Sequence, residues 1–274
     1  MIVFGSLACV PAPAQSDFRP MEARPTAAAR LLSVLDCFSA ETPSRSLTEI
    51  ARTARLPLST AHRLVAELTA WGALARDDLG GYHPGLKLWE LGSLAPTRAS
   101  TREIALPYLG DLFDATGENV HLSVLDGAEV VFLARLTGHR SVGILTTTGS
   151  RLPATTTATG RVLLAHAPAE VQESVLTTPI EAETAHTTTD PAALRAELAE
   201  IARVGYCVAD RQLVDEAVAV AAPIRDSAGQ VIAAVAVVGR RETTSVAHLV
   251  PAVVTTATGV ARSLGYRRPA RHRT

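Results

Sequence analysis

Four polar residues that can hydrogen-bond to DNA lie close together in one short stretch: Ser59, Thr60, His62 and Arg63. Arginine can pair bidentately with guanine in the major groove, and hydroxyl groups bond to phosphate. Ser59 can instead cap a helix. We expect Arg76, further along, to contact the DNA backbone or the minor groove. The alternative interpretation is a solvated helix face with no nucleic-acid partner.

The elements that would position these residues are two short helices joined by a tight corner. Ser46 is a good N-cap, with Glu49 at capping-box spacing. Apolar residues recur at helical spacing after it: Leu47, Ile50, Ala51 and Ala54. The corner is predicted at residues 55–58, where Pro57 requires the first helix to stop, and Ser59 or Thr60 can cap the next one. Its inward stripe would consist of Ala61, Leu64, Val65, Leu68 and Trp71. Such a pair predicts a helix-turn-helix, and Ser46 completes the set of candidate DNA contacts.

A small hairpin is predicted directly after the second helix. Residues 73–76 and 81–83 flank a turn-rich Asp-Asp-Leu-Gly loop, so the unit becomes a winged helix-turn-helix. Charge in this region is modestly basic, with seven arginines against four acidic residues from Arg24 to Arg76. The whole chain carries a net charge of −1, whereas proteins that coat DNA unspecifically are usually more basic. A modest local positive charge in a nearly neutral chain favours site-specific binding by a dimer, in which each copy adds phosphate contacts.

Length and composition indicate one or two globular domains in 274 residues, of which 47% are hydrophobic. Residues 1–25 are proline-rich and are expected to be a disordered extension, or to precede a true start at Met21. They lack the positive region of a signal peptide, and no apolar run is long enough to cross a membrane. The three cysteines form neither a disulfide framework nor a metal spacing, so a reduced cytoplasmic setting is expected.

The rest of the chain predicts helices and an antiparallel sheet. A helix over 26–39 would support the helix-turn-helix, and a linker helix from residue 86 would offer Leu86 and Trp89 to a second subunit. The expected elements that follow are a helix at 98–116, strands at 120–125, 130–134 and 142–145, a loop at 149–160, helices at 160–167, 169–176 and 190–204, an exposed segment at 184–189, strands at 217–224 and 231–238, and a helix at 245–264. The predicted domain boundaries are 1–25 for the extension, 26–85 for DNA binding, 86–97 for the linker, 98–265 for the second domain and 266–274 for a basic tail.

A candidate anion site lies where a helix begins in the second domain, at Thr157, Ala158, Thr159 and Gly160. Free backbone amides at a helix N-terminus bind groups such as a carboxylate, and Gly160 would allow close approach. The alternative is a surface loop with no ligand.

Several short blocks in the right order resemble the IclR family of bacterial transcriptional regulators over residues 26–265. The blocks are Leu-Thr-Glu-Ile-Ala from residue 47, Ser-Thr-Ala-His-Arg-Leu from 59, Gly-Tyr-His-Pro-Gly from 81, Gly-Glu-Asn-Val-His-Leu from 117, Gly-Ser-Arg-Leu-Pro from 149 and Ala-Thr-Gly-Arg from 158. The resemblance implies an α+β protein, with an N-terminal winged helix-turn-helix and a C-terminal GAF-like antiparallel-sheet domain that binds an effector. It also implies a dimer or tetramer, often a repressor. The chain departs from the family at Leu58, where many members are basic, and at Gln212, where many are acidic.

The resemblance further implies a pocket between the 157–160 segment and late strands carrying Ala209, Ala217, Ala219, Ala236 and Val238. These side chains are apolar, so we expect a small, partly apolar ligand with one acidic end. Asp210 and Gln212 could supply polar contacts at the mouth. Ordinary core packing is the alternative role for the apolar residues.

Catalysis and metal binding have little support in the sequence. There is no GxSxG elbow, phosphate loop or GxGxxG, and Ser150 has no base placed near it by sequence. A scattered set, His121, His166 and His186 with Cys207, has no regular metal-ligand spacing. We therefore predict no enzyme, no cofactor and no metal, but a ligand-responsive repressor that binds double-stranded operator DNA. An activator of the same family and a DNA-anchored, ligand-modifying enzyme are the alternatives.

Overall fold

The computed structural model describes residues 26–267 apart from 40–41, 95 and 139–145. The first part contains α1 (Ala27–Leu35), α2 (Leu47–Thr53), α3 (Leu58–Trp71), β1 (Leu74–Arg76) and β2 (Tyr82–Pro84). Two further helices follow, α4 (Leu86–Ser93) and α5 (Pro96–Thr116). The predictions for 1–25, for the strand at 142–145 and for most of the basic tail lie outside the described residues.

Helix α2 begins as its sequence predicts. The Ser46 hydroxyl accepts a hydrogen bond from the Glu49 amide at 3.3 Å, and the Glu49 carboxylate accepts one from the Ser46 amide at 2.8 Å. These two bonds form a capping box. The helix ends at Thr53, before the proline, because Arg55 takes a left-handed backbone conformation with φ 55°. The corner therefore begins at Arg55, two residues before Pro57.

Three expectations for the first three helices are wrong. Helix α3 begins at Leu58 with Pro57 as its N-cap, so neither Ser59 nor Thr60 caps it. Both lie in the first turn because the extended Pro57 backbone already starts the helix. Trp71 is 54% exposed at the other end and does not join the buried stripe, which consists of Ala61, Leu64, Val65 and Leu68. Helix α1 stops at Leu35, short of the predicted end at 39.

The wing is an antiparallel pair in which Ala75 lies opposite His83. Asp77 stabilises its turn, since the carboxylate accepts hydrogen bonds from the Gly81 amide at 2.7 Å and from the Ser44 hydroxyl at 2.9 Å. These bonds to the charged form lower the pKa of Asp77, with the Ser44 bond the largest cause. A backbone bridge between Arg45 and Tyr82 ties the wing to the start of α2.

The second part is a six-stranded antiparallel sheet with helices on both faces. Its further elements are β3 (Asn119–Asp126), β4 (Glu129–Leu136), β5 (Arg151–Pro153), α6 (Ala158–Ala165), α7 (Ala169–Leu176), α8 (Pro191–Val204), β6 (Cys207–Asp210), β7 (Ala217–Arg225), β8 (Val231–Arg240) and α9 (Val246–Ser263). The strand order is β5-β4-β3-β8-β7-β6. The predicted α+β class, with a winged helix-turn-helix and an antiparallel-sheet domain, is confirmed.

Two separate cores cover the sheet. Helices α5 and α9 pack on one face, around Leu109, Val120 and Val253, and α6, α7 and α8 pack on the other, around Val162, Leu194 and Ala236. Because both faces are covered, β7 and β8 read as continuous apolar runs. Within the residues that the structure describes, no helix has the length and apolar character needed to cross a bilayer.

Two segments of the second part differ from expectation. Strand β5 lies inside the predicted loop at 149–160, where it pairs with β4 and so gains its structure from a distant partner. The segment 184–189 is not simply exposed. Thr187 and Thr188 are half-buried and bond to Gln212, through its carbonyl oxygen at 2.8 Å and its side-chain oxygen at 2.9 Å.

Candidate DNA-binding surface and effector cavity

The exposed start of α3 carries the predicted DNA contacts. Ser59, His62 and Arg63 are exposed and Thr60 is half-buried. The Arg63 side chain is 65% exposed, and its Nη1 donates to Glu67 Oε1 at 2.8 Å, one helical turn on. An exposed ion pair of this kind contributes only about 0–1 kcal/mol, so the guanidinium can exchange Glu67 for a DNA acceptor.

Arg76 lies on the wing, where its exposed guanidinium stands 5.7 Å from the centre of the Tyr82 ring. The Ser46 hydroxyl is engaged in the capping box, and its bond to Glu49 is the largest cause of the lowered pKa of that carboxyl. Arg52 and Arg55 are also exposed, beside the corner between α2 and α3, and the sequence analysis did not include them among the candidate DNA contacts. Their positive charge was the property that could have identified them.

A cavity in the second domain lies between the start of α6 and the sheet. It contains about 480 Å³ of space between atoms, its open mouth included. Eight of the predicted ligand contacts line it: Thr157, Ala158, Thr159, Ala209, Ala217, Ala219, Ala236 and Val238. The structure thus brings together residues from α6 and its N-cap and from three strands, β6, β7 and β8, that are far apart in the sequence.

Two predicted contacts do not line the cavity. Gly160 packs against the chain itself, since a Cβ there would lie 2.3 Å from the carbonyl oxygen of Ala154. Its close approach therefore serves the packing of α6. The Asp210 carboxylate pairs instead with Arg241, whose Nε donates to it at 2.9 Å.

The start of α6 offers backbone donors to the cavity. The Thr157 hydroxyl caps the helix by accepting from the Gly160 amide at 3.2 Å. The amides of Ala158 and Thr159 precede the first residue that can bond within the helix, and they have no acceptor among the described residues. Both residues line the cavity, so this end of the helix suits an anionic group.

Sequence reasoning did not assign His121 and Thr156 to this site, although both line it and both are at least 97% buried. Burial is the main cause that lowers the pKa of His121 to about 3, and the Arg135 charge lowers it further, so the imidazole is neutral. The His121 Nε2 and the Thr156 hydroxyl have no hydrogen-bond partner within the part of the chain that the structure describes. Side chains alternate between the two faces of a strand, so His121 on β3 faces away from Val120 and Leu122. That alternation was the feature of the sequence that could have placed His121 on the cavity side of the sheet.

Gln212 lines the cavity, but its amide group bonds elsewhere. Its oxygen accepts hydrogen bonds from the buried guanidinium of Arg161 and from the Thr188 amide, and its nitrogen donates to the His186 carbonyl at 2.8 Å. Arg161 also pairs with Glu197 at 2.6 Å. Gln212 thus ties α6 to the 184–189 segment at the edge of the cavity.

The scattered histidines and Cys207 do not form a metal site in the described ranges, where no three His, Cys, Asp or Glu side chains come together for a metal ion. His166 Nδ1 lies 2.9 Å from the Val162 carbonyl. Burial raises the pKa of Cys207 to about 12. That thiol is therefore protonated and unreactive at neutral pH.

A winged helix-turn-helix joined to a sheet domain with a cavity defines a DNA-binding transcriptional regulator. Residues 27–78 match the IclR helix-turn-helix domain, and residues 95–264 match the family described as bacterial transcriptional regulator IclR C-terminal. The chain belongs to the IclR family of bacterial transcriptional regulators, which are not enzymes.

Individual relatives agree with this assignment. A solved IclR homologue from Microbacterium hydrocarbonoxydans, complexed with 4-hydroxybenzoate, is 36% identical with a TM-score of 0.82, over 86% of this chain and 97% of that one. The HTH-type transcriptional regulator KipR of Bacillus subtilis is 29% identical over 228 residues, which are 82% of this chain and 91% of KipR. The HTH-type transcriptional repressor AllR of Salmonella paratyphi A is 30% identical over 124 residues, 43% of this chain and 46% of AllR.

Proposed function

We propose that this protein is a repressor that binds operator DNA as a dimer and responds to a small, partly apolar acid. The observation that carries the proposal is the cavity, whose lining combines the start of α6, where the Ala158 and Thr159 amides have no acceptor among the described residues, with mostly apolar side chains from the strands. In this proposal residues 26–85 bind DNA, 86–97 link the domains and 98–265 sense the ligand. The protein acts on bacterial DNA, and so we assign it to the cytoplasm.

The DNA contacts come from the exposed start of α3 and from the wing. Thr60, His62 and Arg63 enter the major groove, Ser59 and the Ser46 region contact phosphate, and Arg76 reaches the neighbouring groove or backbone. Leu58 is 54% exposed at the first position of α3 and adds no charge. Arg63 and Arg76 would therefore make a larger share of the phosphate contacts than in relatives with a basic residue at this position.

The acid would place its carboxylate on the Ala158 and Thr159 amides and its apolar body against the alanines of the strands. The relative complexed with 4-hydroxybenzoate supports this class of ligand for the present chain. Binding one state of the domain better than another would change operator affinity through α5 and α4. Coupling of this kind is typically about 1–3 kcal/mol, or roughly 5- to 150-fold.

Titration of a labelled operator fragment, selected from random DNA, tests the ligand response. We expect benzoate or one of its hydroxylated derivatives to change the fluorescence-anisotropy Kd by at least about fivefold, within the usual range of allosteric coupling. Failure of every aromatic and short-chain acid to bind by calorimetry or to shift the Kd would contradict the acid-sensing proposal.

Repression is supported by the name of one relative, the repressor AllR. An activator remains the second candidate because the same DNA contacts serve both. A reporter gene downstream of the selected operator separates them: a repressor lowers expression when the protein is present, and an activator raises it.

The dimer is supported by an exposed apolar face on α4. Leu86 and Trp89 are each 70% exposed, and they lie three residues apart on one helix face. We expect Trp89→Glu to convert a dimer, of twice the 28.8 kDa chain mass, into a monomer in light scattering, because burying a carboxylate in an apolar interface is costly.

Leu79→Glu is the matched control for that change, since Leu79 is 98% exposed at the tip of the wing. It should leave the mass unchanged. A monomeric wild-type protein, or a dimer that survives Trp89→Glu, would place the subunit contact elsewhere.

A further inference from the structure

The lining of the cavity includes two hydrogen-bonding side chains in addition to the Ala158 and Thr159 amides. His121 Nε2 and the Thr156 hydroxyl are both buried, both unpartnered within the described residues, and both on the lining. A buried polar group without a partner destabilises the folded protein, because it loses its hydrogen bonds to water and gains none in return. Two such groups on one small cavity are explained if a ligand supplies their partner.

The orientation of the imidazole is set by packing. The His121 ring meets Phe132, another lining residue, edge to face, with ring centroids 5.1 Å apart and an interplanar angle of 77°. Edge-to-face contacts of this geometry are favourable for aromatic rings. The ring is thus held in place before any ligand arrives.

The chemistry of the pair specifies the kind of group that it binds. A neutral imidazole nitrogen is either a donor or an acceptor, and a threonine hydroxyl can be both. Together they match a group that donates one hydrogen bond and accepts another, which is the property of a hydroxyl. A second carboxylate matches less well, because neither side chain carries charge.

Arg135 is the nearby cation that must be considered. It pairs with His121 across β3 and β4, and its Nη1 donates to the Thr146 carbonyl. The lining found among the described residues includes His121 but not Arg135. Of these two residues, only His121 therefore lines the cavity.

We propose that His121 and Thr156 form a neutral subsite that recognises a hydroxyl group of the effector, so that the cavity selects hydroxylated acids over the same acids without the hydroxyl. This inference rests on the proposed acid-sensing function and adds the ligand feature that decides specificity. Sites built to bond a hydroxyl reject analogues that lack it far more strongly than apolar pockets reject a missing methylene.

Calorimetry of the full chain with benzoate, its three monohydroxy isomers and terephthalate tests the subsite. We expect one hydroxybenzoate to bind at least about tenfold more tightly than benzoate. Thr156→Val and His121→Phe should each bring the two affinities within about threefold, since the hydroxyl contact is lost. Thr156→Val keeps the side-chain shape, so it preserves the test if His121→Phe fails to fold.

Ser123→Ala is the matched control. The Ser123 hydroxyl is also buried and unpartnered in the described structure, on the same face of β3, but it does not line the cavity. Its loss should leave the preference intact. Equal binding of benzoate and every hydroxybenzoate would overturn the subsite and leave the acid-sensing function standing. Tightest binding of terephthalate would also overturn it and assign the second contact to Arg135. Binding of none of these acids would overturn the subsite, and failure of the short-chain acids as well would overturn the acid-sensing function.

Discussion

Arg63→Ala is expected to abolish or greatly weaken specific operator binding with little change in the thermal unfolding of the protein. A bidentate arginine–guanine pair is worth about 1–3 kcal/mol, and the proposed dimer would lose two such pairs, so the operator Kd should rise by at least about 30-fold. The Arg63 side chain is 65% exposed and pairs only with the exposed Glu67 among the described residues. Surface pairs of this kind contribute only about 0–1 kcal/mol, so the unfolding temperature should change by no more than about 4 °C.

Two further substitutions separate base contact from general charge. Glu67→Gln removes the competing carboxylate and should maintain or tighten operator binding. Arg63→Lys keeps the charge but loses the planar fork, so it should weaken the operator complex more than binding to random DNA. Anisotropy titrations with both DNAs measure this difference. Operator binding that is unaltered in Arg63→Ala would reject the placement of Arg63 against DNA.

The parts of the fold that sequence predicted correctly are those governed by neighbours along the chain. The Ser46–Glu49 capping box and the helix between Asp190 and Gly205 depend on residues within one turn. Asp190 caps that helix through its side chain, and Gly205 ends it with φ 84°. Such features can be predicted from the sequence because the interacting residues lie a few positions apart, so their spacing along the chain fixes the contact.

The errors concern features that depend on distant partners. Strand β5 forms because Leu152 pairs with Val130 on β4. No residue pattern between Gly149 and Gly160 predicts that pairing. Trp71 is hydrophobic but lies at the end of α3 facing away from its core.

The candidate cavity was predicted in outline and corrected in detail. The resemblance supplied its alanines, and the helix-terminus argument supplied the 157–159 segment. Neither could show that His121 and Thr156 remain unpartnered, because that property depends on every surrounding atom. The prediction that Gly160 allows a close backbone approach is correct, but the group that approaches it is the Ala154 backbone and not a ligand.

Gly160→Ala is expected to destabilise the second domain strongly, because the new Cβ would meet backbone that cannot rotate aside. It would lie 2.3 Å from the Ala154 carbonyl oxygen and 2.4 Å from the Ala154 Cα. Overpacking typically costs about 1–3 kcal/mol, and a backbone neighbour places this site at the upper end. For a domain of this size about 3 kcal/mol lowers the unfolding temperature by roughly 6–12 °C. Calorimetric scanning measures the shift.

Gly110→Ala, within α5, is the matched control because no heavy atom lies within 4 Å of the added Cβ. Helix propensity alone should then stabilise the protein, by up to about 1 kcal/mol. The two substitutions add the same atom to two helices with opposite expected signs. Equal shifts would mean that α6 moves away from Ala154 at little cost. A destabilised Gly160→Ala protein that still folds at low temperature should also lose acid binding, since moving α6 displaces the Ala158 and Thr159 amides from the cavity.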